Sequence, residues 1–272
     1  MVDLDGATVA ITGGARGIGR ATALEFANRG AEVVTGDIDP HESPGRGLEL
    51  DVTKPRSWAK FAKAAGTIDV LVNNAGVMPS GRFVEQSPQL LAAAMDINYW
   101  GVVHGLRAVL PAMIERGRGH VVNVASMAGK VAIAGLAPYC ASKSAVIALS
   151  ASLREELPPG VTCTVVLPSA VRTRLSAGFP LGRMGVVEAE DVARGIVASC
   201  RDAPAEVAVP AWTGLYEQVN TVLPGPVMRL ARRALRADRV LTARDDAVRS
   251  HYEREILPKR PRRARGSAVK PK

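Results

Sequence analysis

The sequence predicts an α/β fold, a doubly wound parallel sheet with helices packed on both faces. Three observations carry that expectation. Short Val/Ile/Leu-rich runs alternate with helical stretches over the first two hundred residues. The runs are apolar throughout, as strands buried on both faces are. At 272 residues and 47% apolar composition, the chain has the material for one substantial core.

In chain order, Ala7–Thr12, Glu32–Gly36, Val70–Asn73, His120–Val124 and Thr162–Leu167 read as buried strands bounded by Gly, Asn or Pro. Gly47–Leu50 and Glu206–Val209 are weaker strand candidates. Between them, Gly19–Arg29, Ser87–Arg116, Pro138–Leu157 and Glu188–Ser199 carry helical patterns. Only thirteen residues separate Asp37 from Asp51, and they include Pro40, Pro44, Gly45 and Gly47. A crossover helix with its loops does not fit there, so a loop or single turn is expected. Beyond Pro210 the strand–helix rhythm stops and Arg, Ala and Leu dominate.

The net charge of +9 is unevenly placed. Arg229 to Lys272 holds fifteen basic and five acidic residues, and the rest of the chain is almost neutral. The body is therefore not read as a nucleic-acid binder. Cys140, Cys163 and Cys200 are odd in number and widely spaced, which suits a reducing cytoplasm. His41, His104, His120 and His251 are scattered without metal-ligand spacing, so no metal is expected. The N-terminus lacks a basic region and a long apolar run, so it is not read as a signal peptide. No uninterrupted apolar stretch of about 18 residues predicts a membrane span.

Thr12-Gly13-Gly14-Ala15-Arg16-Gly17-Ile18-Gly19 joins the first strand to the first helix. Glycines there let the backbone approach a pyrophosphate, and the helix N-terminus offers it unpaired N–H groups. Asp37 closes the second strand eighteen residues beyond Gly19. A carboxylate at that place accepts from adenosine ribose hydroxyls and repels a 2′-phosphate, which favours NAD over NADP. Arg16 pulls the other way, since it offers a charge to such a phosphate. Asp51-Val52 is expected to meet the adenine, and Asn73-Asn74-Ala75-Gly76 to tie strand ends and leave room for a flat ring.

Tyr139 and Lys143 stand four residues apart, on one face of a helix. A positive charge about 5 Å from a phenol, at an effective dielectric near 20, is worth roughly 3 kcal/mol, or about 2 pKa units. The spacing thus predicts a Tyr able to exchange protons near physiological pH. Ser126 lies just past the fourth strong strand run, and Asn98 within the long helical segment before it.

Taken in order, the glycine loop, Asn-Asn-Ala-Gly, Asn98, Ser126 and Tyr139-x-x-x-Lys143 resemble the short-chain dehydrogenase/reductase family over about residues 5–210. The resemblance implies a Rossmann-type fold and a nicotinamide cofactor, NAD preferred. It makes Tyr139 the acid/base and Ser126 the partner of the substrate oxygen. Lys143 tunes Tyr139 and holds the nicotinamide ribose, and Asn98 holds a water in a proton relay. Cofactor contacts are carried to Gly13, Arg16, Gly17, Ile18, Gly19, Asp37, Asp51, Val52, Asn74, Ala75, Gly76, Tyr139, Lys143, Pro168, Val171 and Thr173. It also implies a homodimer or homotetramer. The sequence departs from the pattern at Ser169, where a Gly is usual, in the trimmed Asp37–Asp51 connection, and in the C-terminal extension.

Residues 1–210 are thus expected to be the catalytic domain, and 211–272 a basic extension, helical and then disordered. Arg174–Gly185, with Leu175, Phe179, Leu181 and Met184, reads as an apolar lid. Val131, Ile133 and Leu136 add apolar wall, and Lys130 is the only cation between Ser126 and Tyr139. A lipophilic secondary alcohol or ketone is the expected substrate. Pro226–Arg236 forms an amphipathic basic pattern, either a peripheral membrane contact or a helix docked on protein, the latter favoured. The alternative function is a nucleotide-binding, membrane-recruited scaffold; the Ser126/Tyr139/Lys143 set favours the enzyme.

Overall fold

The computed structural model describes residues 2–181, 185–215, 241 and 243–257. Met184 of the expected lid, the Pro226–Arg236 pattern and the last stretch from Lys259 lie outside these residues. Seven parallel strands form the central sheet: β1 (Thr8–Thr12), β2 (Glu32–Asp37), β3 (Arg46–Glu49), β4 (Val70–Asn73), β5 (Gly119–Val124), β6 (Val161–Pro168) and β9 (Glu206–Val209), in the order β3-β2-β1-β4-β5-β6-β9. A short parallel pair, β7 (Ala170–Val171) with β8 (Val186–Val187), stands apart from it. The strand order reverses between β1 and β4, and that switch point is where an open α/β sheet leaves a crevice for a ligand.

Side chains alternate across the sheet with a period of two. Val9 and Ile11 of β1, with Val70 and Val72 of β4, point to a layer containing Phe26 of α1 (Gly17–Ala27) and Ile196 of α6 (Ala189–Asp202). Ala10 and Leu71 point the other way, toward α2 (Pro55–Ala65), α4 (Gly101–Glu115) and α5 (Ala137–Glu156), which bring Trp58, Phe61, Met113 and Val146. Both faces are covered, which is why the strand runs lack polar alternation.

The expected single helix Ser87–Arg116 is divided. α3 (Pro88–Met95) starts on Ser87, whose Oγ accepts from Leu90 N at 3.3 Å, and gives way to a π turn, Asp96–Trp100, before α4. In that turn Gly101 N–H bonds the carbonyl of Asp96, five residues back. No crossover helix joins β2 to β3, as the short Asp37–Asp51 spacing required. The crossover comes one step later as α2, which the sequence reading had not singled out. Trp58 and Phe61 anchor it as a T-shaped pair, ring centroids 5.7 Å apart, and Trp58 Nε1 donates to Val52 O at 3.1 Å.

One described helix lies beyond the sheet: α7 (Asp246–Ile256), capped by Asp245, whose carboxylate accepts from Ala247 N and Val248 N. Among the described residues, no helix is long and apolar enough to cross a membrane.

Phe61 is 1% exposed in the α2 layer. Replacing it by Ala is expected to cost about 3–5 kcal/mol. Chemical denaturation should show a lower midpoint at unchanged slope; a loss below about 1 kcal/mol would show that α2 is not part of the main core.

Candidate active site

The glycine loop leaves β1 at the switch point. Gly13 and Gly17 have φ of +66° and +52°, a region that side chains disfavour. A Cβ at Gly19 would meet Gly13 O at 2.1 Å, so the first turn of α1 packs directly on the loop. Arg16 is the extended residue before the helix, exposed, and its side chain makes no cap hydrogen bond. The N–H groups of Gly17, Ile18 and Gly19 therefore belong to a helix start that no side chain caps, as an anion site requires. Asn74 holds the loop in place: its Nδ2 donates to Thr12 O at 2.8 Å and Gly13 O at 3.2 Å. Asn73 Nδ2 makes a parallel tie to Asn123 Oδ1 at 2.9 Å, joining β4 to β5.

Asp37 is 6% exposed at the end of β2. Its Oδ2 accepts from Ala15 N at 3.1 Å and its Oδ1 from Asp39 N at 3.2 Å. A carboxylate oxygen has two lone pairs, so each keeps acceptor capacity after these bonds. Leu50 N bonds the carbonyl of Asp37 at 2.8 Å, which brings Asp51 and Val52 to the same edge. Asp51 Oδ1 is engaged by the backbone N–H and hydroxyl of Thr53. Val52 has a buried side chain, and its carbonyl accepts from Trp58 Nε1 and contacts His104 Nδ1. Its side chain thus belongs to the core.

On the other side of the switch point, Asn98 sits fully buried in the π turn. Its Oδ1 accepts from Val77 N at 2.8 Å, while its Nδ2 donates to Val77 O and to Ser142 Oγ, both at 2.9 Å. Gly76 packs against this group: a Cβ there would lie 3.2 Å from Asn98 Oδ1 and 3.5 Å from Lys143 Nζ. Lys143 Nζ donates to Val124 O at 2.8 Å and stands 5.9 Å from the centroid of the Tyr139 ring. The Ser126 hydroxyl stands near enough to Tyr139 to act on its proton affinity; its Oγ accepts from Ala128 N at 3.1 Å and donates to Pro168 O at 3.4 Å.

Electrostatics correct one expectation. Burial pushes the Tyr139 phenol up to about 12, against the lowering effect of the nearby Ser126 hydroxyl. Burial also pulls Lys143 down to about 8. Desolvation outweighs the Coulombic help that the helical spacing promised; the ammonium donates to Val124 O. As it stands, Tyr139 is a protonated acid at neutral pH.

Past β6, Val171 is buried and its carbonyl accepts from Ser176 Oγ at 2.6 Å. Thr173 lies over the glycine loop, its Cγ2 3.4 Å from where a Gly17 Cβ would be. Ser169 turns its hydroxyl onto Gly185 O. Around Tyr139 an apolar cluster gathers Met78, Ile133, Leu136, Leu175 and Phe179. Val131 is not in that cluster, and Lys130 is paired with Glu206 Oε2 at 2.6 Å. Sequence reasoning missed Ser142, one turn along the helix from Tyr139, and Met78, Ser80, Arg249 and Tyr252, which border the site from the loop after β4 and from α7.

The short chain dehydrogenase family pattern matches residues 7–180. A probable oxidoreductase of Mycobacterium tuberculosis, EphD, is 34% identical over 263 residues, covering 82% of this chain and 44% of that protein. The chain thus spans less than half the length of this relative. A short-chain dehydrogenase/reductase from Burkholderia phymatum in complex with NAD superposes with a TM-score of 0.72 at 26% identity, over 79% of this chain and 93% of that one. One from Burkholderia cenocepacia in complex with NADP gives 0.76 at 26% identity, over 86% and 99%. Together with the parallel sheet and the glycine cradle at its switch point, these likenesses place the chain in the short-chain dehydrogenase/reductase family.

Proposed function

We propose that the protein interconverts a lipophilic secondary alcohol and its ketone with NAD as the preferred cofactor, and that Tyr139, Ser126 and Lys143 carry the proton chemistry. The observation that carries the reading is the placement of Lys143 Nζ 5.9 Å from the Tyr139 ring on one helix, beside Ser126 and at the strand ends that hold the glycine cradle. The cradle fits the group: its close-packed glycines, uncapped helix start and carboxylate at Asp37 match a pyrophosphate followed by a ribose diol. When bound, the oxidised nicotinamide supplies a hydride acceptor that carries a positive charge.

In oxidation, the carbinol C–H bond breaks and its electron pair leaves as hydride, while the O–H proton passes to Tyr139 Oη. Ser126 Oγ donates to the substrate oxygen and steadies its charge. In reduction the same groups run backward, and the protonated Tyr139 is already the acid required. The oxidative direction needs positive charge near the phenol, from Lys143 and from the cofactor, to overcome its burial. Lys143 Nζ is held on Val124 O, with Gly76 leaving room beside it, and Asn98 is the proposed inner end of a proton route to solvent. The apolar wall of Met78, Leu136, Leu175 and Phe179 supports an uncharged lipophilic substrate.

Two outcomes test this reading. Tyr139→Phe should lower kcat by about 10²–10⁴-fold, with NADH binding, followed by nucleotide fluorescence, essentially retained; unchanged turnover would sink the proposed mechanism. Wild-type protein should use NAD in preference to NADP. Asp37→Asn keeps the shape at Ala15 but removes the charge, and should shift the kcat/KM ratio toward NADP by about tenfold, or ~1.4 kcal/mol. A ratio that does not move would remove Asp37 from cofactor selection.

A further inference from the structure

α7 bridges the two segments that wall Tyr139. One wall is the loop after β4, where Met78 touches the Tyr139 cluster. The other is the segment after Thr173, which contributes Leu175 and Phe179. Arg249 of α7 is 1% exposed between them. Its Nε donates to Ser80 Oγ at 3.1 Å and its Nη2 to Met78 O, on the first wall. Its Nη1 donates to Leu175 O at 3.0 Å and Ala177 O at 3.4 Å, on the second. The guanidinium plane lies between two rings, 4.3 Å from the Phe179 centroid and 4.4 Å from that of Tyr252.

Neighbouring groups of α7 repeat the pattern. Tyr252 Oη accepts from Met78 N at 3.0 Å, and Glu253 Oε1 accepts from both Ser80 N and Ser80 Oγ. Asp245 N donates to Gly178 O at 2.7 Å, and Glu255 pairs with Arg174. Ser80 Oγ therefore accepts from Arg249 and donates to Glu253, so a carboxylate stands one hydrogen bond away from the buried cation. A planar guanidinium with its donors in a fixed fork serves carbonyls on two segments at once, which a single ammonium cannot do.

The consequence concerns access. Tyr139 is 7% exposed, and residues of both walls, Met78 on one and Leu175 and Phe179 on the other, share its apolar cluster, so the spacing of the walls shapes the space beside it. Resting on the enzymatic reading above, we propose that Arg249 is a positioning residue that latches α7 across the Met78–Ser80 and Leu175–Ala177 walls, and so sets the width of the substrate space beside Tyr139. A latch of this kind acts on how substrate is held and leaves the cofactor side, glycine loop and Asp37, untouched.

The test uses the full-length chain, with hydrogen exchange followed by mass spectrometry and steady-state kinetics on whichever alcohol or ketone the wild type turns over. In Arg249→Ala, amides of residues 77–81 and 174–179 are expected to exchange about tenfold faster together, with peptides from β1 and β4 unchanged. NADH affinity should stay within about threefold, and KM should rise by about tenfold with kcat changed by less than about threefold. Arg249→Lys, a milder change, should show the same paired acceleration at about threefold and part of the KM effect. Faster exchange confined to 246–256, or in one wall only, would overturn the latch, as would an equal loss in kcat with KM unchanged. The exchange arm needs no turnover, so a wild type without activity would reject the enzymatic reading and leave the latch separately tested.

Discussion

The side chain of Asn98 is the interaction on which the site depends. It is fully buried, and its amide bonds three groups on two other parts of the chain: both backbone groups of Val77 and the hydroxyl of Ser142. Val77 is in the loop leaving β4, Ser142 is on the helix of Tyr139 and Lys143, and Asn98 itself is in a π turn. A buried amide left with unmet donors or acceptors costs about 1–3 kcal/mol for each. The three segments therefore move together or not at all. Ser142 passes the restraint on, since its Oγ donates to the carbonyl of Tyr139 at 2.8 Å.

Burial is what this arrangement exchanges for precision. Drawing Tyr139 and Lys143 out of water pushes their proton affinities in opposite directions, to about 12 and about 8. Each shift disfavours the charged form. A neutral acid at the substrate oxygen follows without further help, whereas a phenolate base requires added positive charge. The cofactor that accepts hydride is, on our reading, also the source of that charge, so proton and hydride chemistry become coupled through electrostatics. The apolar walls strengthen the coupling by excluding water and lowering the local dielectric.

Much of this was legible in the sequence because parallel strands buried on both faces leave unbroken apolar runs, and Val70–Asn73 and His120–Val124 are such runs. The glycine loop was legible because only glycine tolerates its dihedrals and its contact with α1. What stayed hidden has physical reasons. β3 is a short edge strand, Arg-Gly-Leu-Glu, with little to bury, so the crossover α2 behind it lost its frame. The π turn at Asn98 inserts one residue into an otherwise continuous helical pattern, which periodicity does not resolve. Arg249 is one of fifteen basic residues in a basic tail, and nothing local distinguishes a buried arginine from a solvated one. The Asp245 cap three residues before Val248 was the available signal for α7. The helical spacing of Tyr139 and Lys143 was read correctly as a shared face, but the spacing carried no information on desolvation, which decides their proton affinities.

On the proposed reading, the glycine cradle, the Asn98 node and the α7 latch act on three separable things: where the cofactor lies, where the acid/base sits, and how the substrate space is bounded. The central claim is that a buried Tyr139 exchanges the substrate proton under the charge of Lys143. The most direct measurement is kcat/KM for alcohol oxidation against pH at saturating NAD, in wild type and Lys143→Met. The account predicts a wild-type rate rising about tenfold per pH unit below a single apparent pKa, and an upward move of that pKa in the variant. A wild-type profile flat from about pH 6 to 9, or one whose pKa is unmoved by the loss of Lys143, would contradict it.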